Sequence, residues 1–138
     1  MITQTTRYGI GTTIPLAYEA AVTRTKEALA AEGFGILSEI DVAATLKKKL
    51  GVEFRPYVIL GACNPPLAHR ALSAERDIGL LLPCNVIVYA DDTPGTSVVA
   101  AMDPVEALRL TGNDEIEPVA AEVRERLVRA LDSLSRPT

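Results

Sequence analysis

Two cysteines and one histidine hold most of the nucleophilic and metal-ligating chemistry of this chain. All three lie in one stretch, Tyr57 to Tyr89, YVILGACNPPLAHRALSAERDIGLLLPCNVIVY. Each cysteine is followed by asparagine, as Cys63-Asn64 and Cys84-Asn85. Two thiols brought together could form a reversible disulfide, bind a soft metal, or carry sulfur or a small electrophile. A disulfide here would close a loop that contributes on the order of 3 kcal/mol. His69 could complete a Cys₂His site for a soft divalent metal such as zinc. The alternative for each residue is structural. Cysteine often packs as a small apolar side chain, and a histidine on a helix is often simply exposed.

The elements that must position these residues can be read locally. Tyr57 to Ala62 is short, apolar and partly β-branched, which predicts a buried strand. Asn64 suits a helix N-cap, and Pro65 suits the first helical position because a proline has no N–H to leave unpaired there. Leu67, Ala68, Ala71 and Leu72 follow at helical spacing. Pro83 closes the connection, and Val86 to Tyr89 predicts the next strand. Antiparallel neighbours would then put Cys63 and Cys84 on one rim of a sheet. A helix starting after Cys63 would favour its thiolate, since unpaired N–H groups and the helix dipole attract negative charge.

The rest of the chain supplies a sheet and its cover. Residues 2–10 are rich in β-formers. Gly9 and Gly11 form a GxG without the rest of a dinucleotide fingerprint, so they predict a turn or bulge and no nucleotide cofactor. Thr12 or Thr13 could cap a helix with Pro15 in its first turn and Gly33 beyond its end. Ile14, Tyr18, Ala21, Val22, Thr25, Ala28 and Leu29 mark its apolar face. Phe34 to Ile40 predicts a second strand. Alternation there sets Phe34, Ile36 and Ile40 against Leu37, Glu39 and Asp41. Glu39 and Asp41 could accept protons from the thiol rim; Asp41 also suits the N-cap of a helix ended by Gly51. Residues 96–102 predict a hairpin partner for Val86 to Tyr89, after the turn at Asp92 to Gly95. A short helical segment follows Asp103-Pro104, and a long amphipathic helix starts near Asp114. Both faces of Tyr57 to Cys63 are apolar. One helix layer covers only one face, so a homodimer partner or a ligand cavity is expected on the other.

The 138 residues suit one domain spanning the whole chain. Fourteen basic and 18 acidic residues leave a net charge of −4, which disfavours nucleic acid and anionic membrane surfaces as partners. The polar, glycine-punctuated N-terminus does not resemble a signal peptide, and no apolar run is long enough to span a membrane. A soluble cytoplasmic protein is expected, with its thiols mostly reduced. Nothing suggests a hydrolase or transferase, since a nucleophile elbow, a phosphate loop and a convincing triad are all lacking.

GFGILSEID, FRPYVILGACNP, LAHRAL and IGLLLPCNVIVY together resemble the bacterial and archaeal DUF302 family, over about residues 10 to 112. The resemblance implies a TBP-like α+β fold, β-α-β(4)-α with short extra helices, and a homodimer. It implies no established biochemical activity. The positions carried over are Gly33, Glu39, Asp41, Gly61, Cys63, Asn64, Pro65, Pro83, Cys84 and Asn85. His69 falls where the family pattern does not require histidine. The residue reading agrees on α+β: a single antiparallel layer of about five strands with two long helices on one face.

Two functional readings stay open. In one, the Cys63/Cys84 rim is a thiol-based site. Cys63 is then the reactive thiolate and Cys84 the resolving thiol or second ligand, with Asn64 and Asn85 capping and orienting them. In the other, the protein is a homodimeric small-ligand-binding or structural module whose cysteines only pack.

Overall fold

The structure is a computed structural model and describes residues 2–135. Six strands form one antiparallel sheet in the spatial order β1-β2-β6-β5-β4-β3. The strands are β1 (Thr3–Thr6), β2 (Gly9–Ile14), β3 (Gly35–Asp41), β4 (Tyr57–Cys63), β5 (Cys84–Ala90) and β6 (Ser97–Met102). The helices are α1 (Tyr18–Ala31), α2 (Val42–Leu50), α3 (Pro65–Ala74), α4 (Pro104–Leu108) and α5 (Glu117–Ser133). Short 3₁₀ segments follow α3 and α4, at Arg76–Leu81 and Arg109–Thr111. The α+β class and the single antiparallel layer are as the sequence predicts, with six strands in place of about five.

The extra strand comes from the N-terminus, where one predicted strand is a hairpin of β1 and β2. Gly9 and Gly11 are strand residues there and not a turn, and the hairpin's bulge lies on β1 between Gln4 and Thr6, opposite Gly9 and Ile10. A Cβ on Gly11 would lie 2.7 Å from the Val99 carbonyl oxygen, so glycine lets β2 lie close against β6. Thr12, Thr13 and Ile14 consequently extend β2, and neither threonine caps α1. That helix starts after Ala17, without a side-chain cap. Gly33 follows it at φ 87°, a backbone conformation that favours glycine.

Buried residues on α1 (Ala21, Thr25, Ala28, Leu29) and α5 (Val119, Ala120, Val123, Leu127, Ala130, Leu131) recur at helical spacing. They close over one sheet face built from Ile10, Val58, Leu60, Val86, Val88 and Val99. The buried Thr25 hydroxyl donates to the Ala21 carbonyl at 2.7 Å, so its polarity is satisfied within the helix.

On β3 the predicted alternation breaks. Ile36 pairs with Ala62 but Ser38 pairs with Gly61, leaving Leu37 as the extra residue of a bulge. The phase then inverts. Glu39 and Asp41 stand opposite Leu60 and Val58 on the helix side, and Ile40 stands opposite Ile59 on the far side. A single inserted residue thus separates Ile36 from Ile40, which simple alternation puts together.

Candidate functional site

The stretch from β4 to β5 folds as its residue types dictate. Asn64 caps α3, its carboxamide oxygen accepting from the Leu67 N–H at 3.3 Å. Pro65 and Pro66 occupy the first turn, where two N–H groups would otherwise lack partners. The chain leaves α3 through the 3₁₀ segment and returns by Pro83, after a cis Leu82–Pro83 peptide, into β5. Strands β4 and β5 are antiparallel neighbours, with Ala62 opposite Cys84 and Gly61 opposite Asn85. Gly61 is required there. A Cβ on it would collide with Ser38 Oγ and lie 2.9 Å from Pro83 Cγ, so its small size lets both segments close on β4.

Both cysteines line one cavity of about 270 Å³ at this rim, between the sheet, α3 and α5. Phe34, Ala62, Leu67, Ala71, Leu82, Leu108, Val119 and Val123 supply apolar walls. Among the described residues, Asn64 is the one carboxamide of the lining, and no charged side chain contributes. Leu37 and Leu72, 69% and 43% exposed, border the opening.

The two thiols differ. Cys63 ends β4 and is half-buried, whereas Cys84 is buried on the helix-covered face. Burial pushes the Cys84 thiol up to about 11, with a smaller contribution from Cys63. Cys84 is therefore protonated at neutral pH. Both thiols are free and the cysteines are not close, so the two do not form a disulfide here. The register separates them, because Cys84 pairs with Ala62 and Cys63 falls one position farther, at the end of β4.

The remaining predicted site residues are dispersed. Asn85 is exposed and lies opposite Gly61 on the far face. His69 is exposed and borders a separate groove with Arg70, Ser73 and Glu115. Among the described residues, no three His, Cys, Asp or Glu side chains converge as a metal site, so the Cys₂His set is not assembled. Glu39 pairs with Lys26 at 2.6 Å. Asp41 caps α2, accepting from the Ala44 N–H at 2.9 Å. The register position of Glu39 lies three steps along β4 from Cys63, roughly 10 Å of strand, and that of Asp41 lies farther still. They stand instead near Tyr18, whose phenol is pushed up first by burial and then by Asp41 and Glu39.

The residue reading missed the walls supplied by Phe34, Leu108, Val119 and Val123. Their signal was ordinary apolar periodicity, which marks a cavity wall and a filled core alike.

Fold and site together define an α+β protein with one helix-backed antiparallel sheet and an apolar cavity at its rim. The chain belongs to the DUF302 family, whose model, described as a domain of unknown function, matches residues 10–134. A similar crystal structure is that of an uncharacterised conserved DUF302 protein from Bacillus stearothermophilus. It is 30% identical, with a TM-score of 0.84, over 94% of this chain and 98% of that one. No curated protein matches the chain significantly. Among the described residues, no helix is long and apolar enough to cross a membrane.

Proposed function

We propose that the rim cavity binds a small apolar molecule and that Cys63 is the reactive thiol beside it. One observation carries this reading: about 270 Å³ of space is walled by apolar side chains and both cysteines without a charged group. Concave apolar sites with a few polar groups are the usual form of small-molecule sites. Thiol chemistry then rests on Cys63 alone, open to a small electrophile, while Cys84 acts as a protonated wall. The separation of the thiols weighs against a dithiol redox couple.

A homodimer through the far sheet face accompanies this reading. Tyr57, Ile59, Ile87 and Tyr89 stay half-buried there, and the Tyr57 and Tyr89 rings stack at 5.2 Å. Apolar area of this kind on a sheet is favourable to cover.

Benzene tests the cavity because it has no polar group to direct it elsewhere. Titration should shift the methyl resonances of Leu67, Leu108 and Val123 saturably, and should slow alkylation of Cys63 by N-ethylmaleimide. Methyl shifts that never saturate, with alkylation unchanged, would refute the reading.

A further inference from the structure

Resting on that cavity reading, we infer that the ligand is an uncharged amphiphile. It has a short apolar body and a head group that accepts a hydrogen bond from Asn64. Three observations define this class.

The first is charge. The lining offers no cation to an anionic head and no carboxylate to a cationic one. Charged groups around the rim are engaged elsewhere. Arg126, whose guanidinium lies beside Gly33, bonds Glu122 and the Glu32 carbonyl; His69 and Arg70 border the separate groove, Glu39 pairs with Lys26, and Asp41 caps α2. Burying an uncompensated charge is strongly unfavourable, so the cavity selects against ions.

The second is the one carboxamide. Asn64 is 8% exposed and spends its oxygen on capping α3. This leaves its amide nitrogen, a donor. The nitrogen sits over Gly33, where a Cβ would come within 2.9 Å of Nδ2. Gly33 therefore serves twice, through its positive φ and through the room it leaves for this donor. A hydroxyl, aldehyde, ketone or ester oxygen would match it.

The third is size. About 270 Å³ lies just below the roughly 300–1,000 Å³ usual for small-molecule sites, so it suits a short-chain ligand. 1-Octanol is such a ligand, and octanoate carries the same chain on an anionic head.

The experiment titrates the full chain with each compound at pH 8, following methyl resonances. 1-Octanol should bind saturably, about tenfold or more tightly than octanoate. Ala68→Phe and Ala71→Leu, which fill the cavity from a half-buried and a buried wall position, should each abolish binding in variants that keep the native far-ultraviolet circular dichroism. Asn64→Asp keeps a capping oxygen but replaces the donor by a carboxylate, and should weaken 1-octanol binding about fivefold or more. Octanoate binding as tightly as 1-octanol would overturn the inference while benzene binding still upheld the cavity. Unchanged 1-octanol binding in Asn64→Asp would overturn the assigned head-group contact. Binding of neither benzene nor 1-octanol, or 1-octanol binding that survives both filling variants, would overturn the cavity reading and this inference with it.

Discussion

The two faces of strands β4 and β5 are built from similar residues and meet different fates. On the covered face Val58, Leu60, Val86 and Val88 are at most 3% exposed beneath α1 and α5. One position away, Tyr57, Ile59, Ile87 and Tyr89 remain half-buried. Alternation delivers apolar side chains to both faces, but the chain supplies a full helix layer to one. The cavity sits where that layer thins at the rim, next to the two cysteines. Residue type alone therefore does not decide burial; the position of the helices does.

The sharpest way to break this comparison is to truncate neighbouring residues on opposite faces. Leu60→Ala should cost about 3 kcal/mol in urea unfolding, because a buried leucine leaves a cavity that its neighbours only partly fill. Ile59→Ala should cost about 1 kcal/mol in dilute protein, since its side chain is already partly solvated. If the far face is covered by a second copy, the Ile59→Ala cost should grow with protein concentration and sedimentation should shift from dimer toward monomer. Equal and concentration-independent costs at the two positions would show that the faces do not differ.

The second test contrasts the thiols by pH. The Cys84 pKa is raised in the folded chain, from 9.0 to about 11, so between these values the folded state holds more protons than the unfolded state. Stability from this site is fully present below about pH 9 and is lost as pH rises through about 11. A shift of two units corresponds to roughly 2–3 kcal/mol. Wild type should lose about that much more stability than Cys84→Ala across this window in parallel urea titrations. Identical pH profiles would mean that Cys84 is solvated. In the native protein N-ethylmaleimide should label Cys63 and spare Cys84, as intact mass and peptide mapping would show.

Much of this architecture was legible, and the exceptions share a cause. Asn64-Pro65 and Asp41 announced their helix starts, Gly33 and Gly51 their ends, and Tyr57 to Tyr89 its two strands and helix. These signals are local, arising from caps, fixed φ and backbone permissiveness. The misreadings involved distant partners. Gly11 looks like a turn until β6 lies against it, and Leu37 gives no sign that it bulges against β4. The common rim of Cys63 and Cys84 followed from strand pairing. Their separation depended on a one-residue offset that the sequence does not display. Residue type alone points Asn85, Glu39 and His69 to the site, and register and helix placement put each elsewhere.

The smallest expected effect concerns two threonines in the covered core. Thr12 on β2 and Thr25 on α1 are 4% and 1% exposed. Thr25 donates to the Ala21 carbonyl, whereas Thr12 Oγ1 is a buried side-chain oxygen without a hydrogen-bond partner among the described residues. Replacing either hydroxyl by a methyl changes little in shape, so the sign of the effect should follow the hydrogen bond. Thr25→Val should destabilise by about 1 kcal/mol because it discards a made bond. Thr12→Val should stabilise by about 1 kcal/mol because it removes an uncompensated polar group from apolar surroundings. Thermal unfolding of the two variants side by side reads the difference as shifts of opposite direction, a few degrees each. Destabilisation by Thr12→Val would show that its hydroxyl has a partner in solution, such as a buried water, and that the β2 end of the covered face is wetter than the β4 and β5 centre.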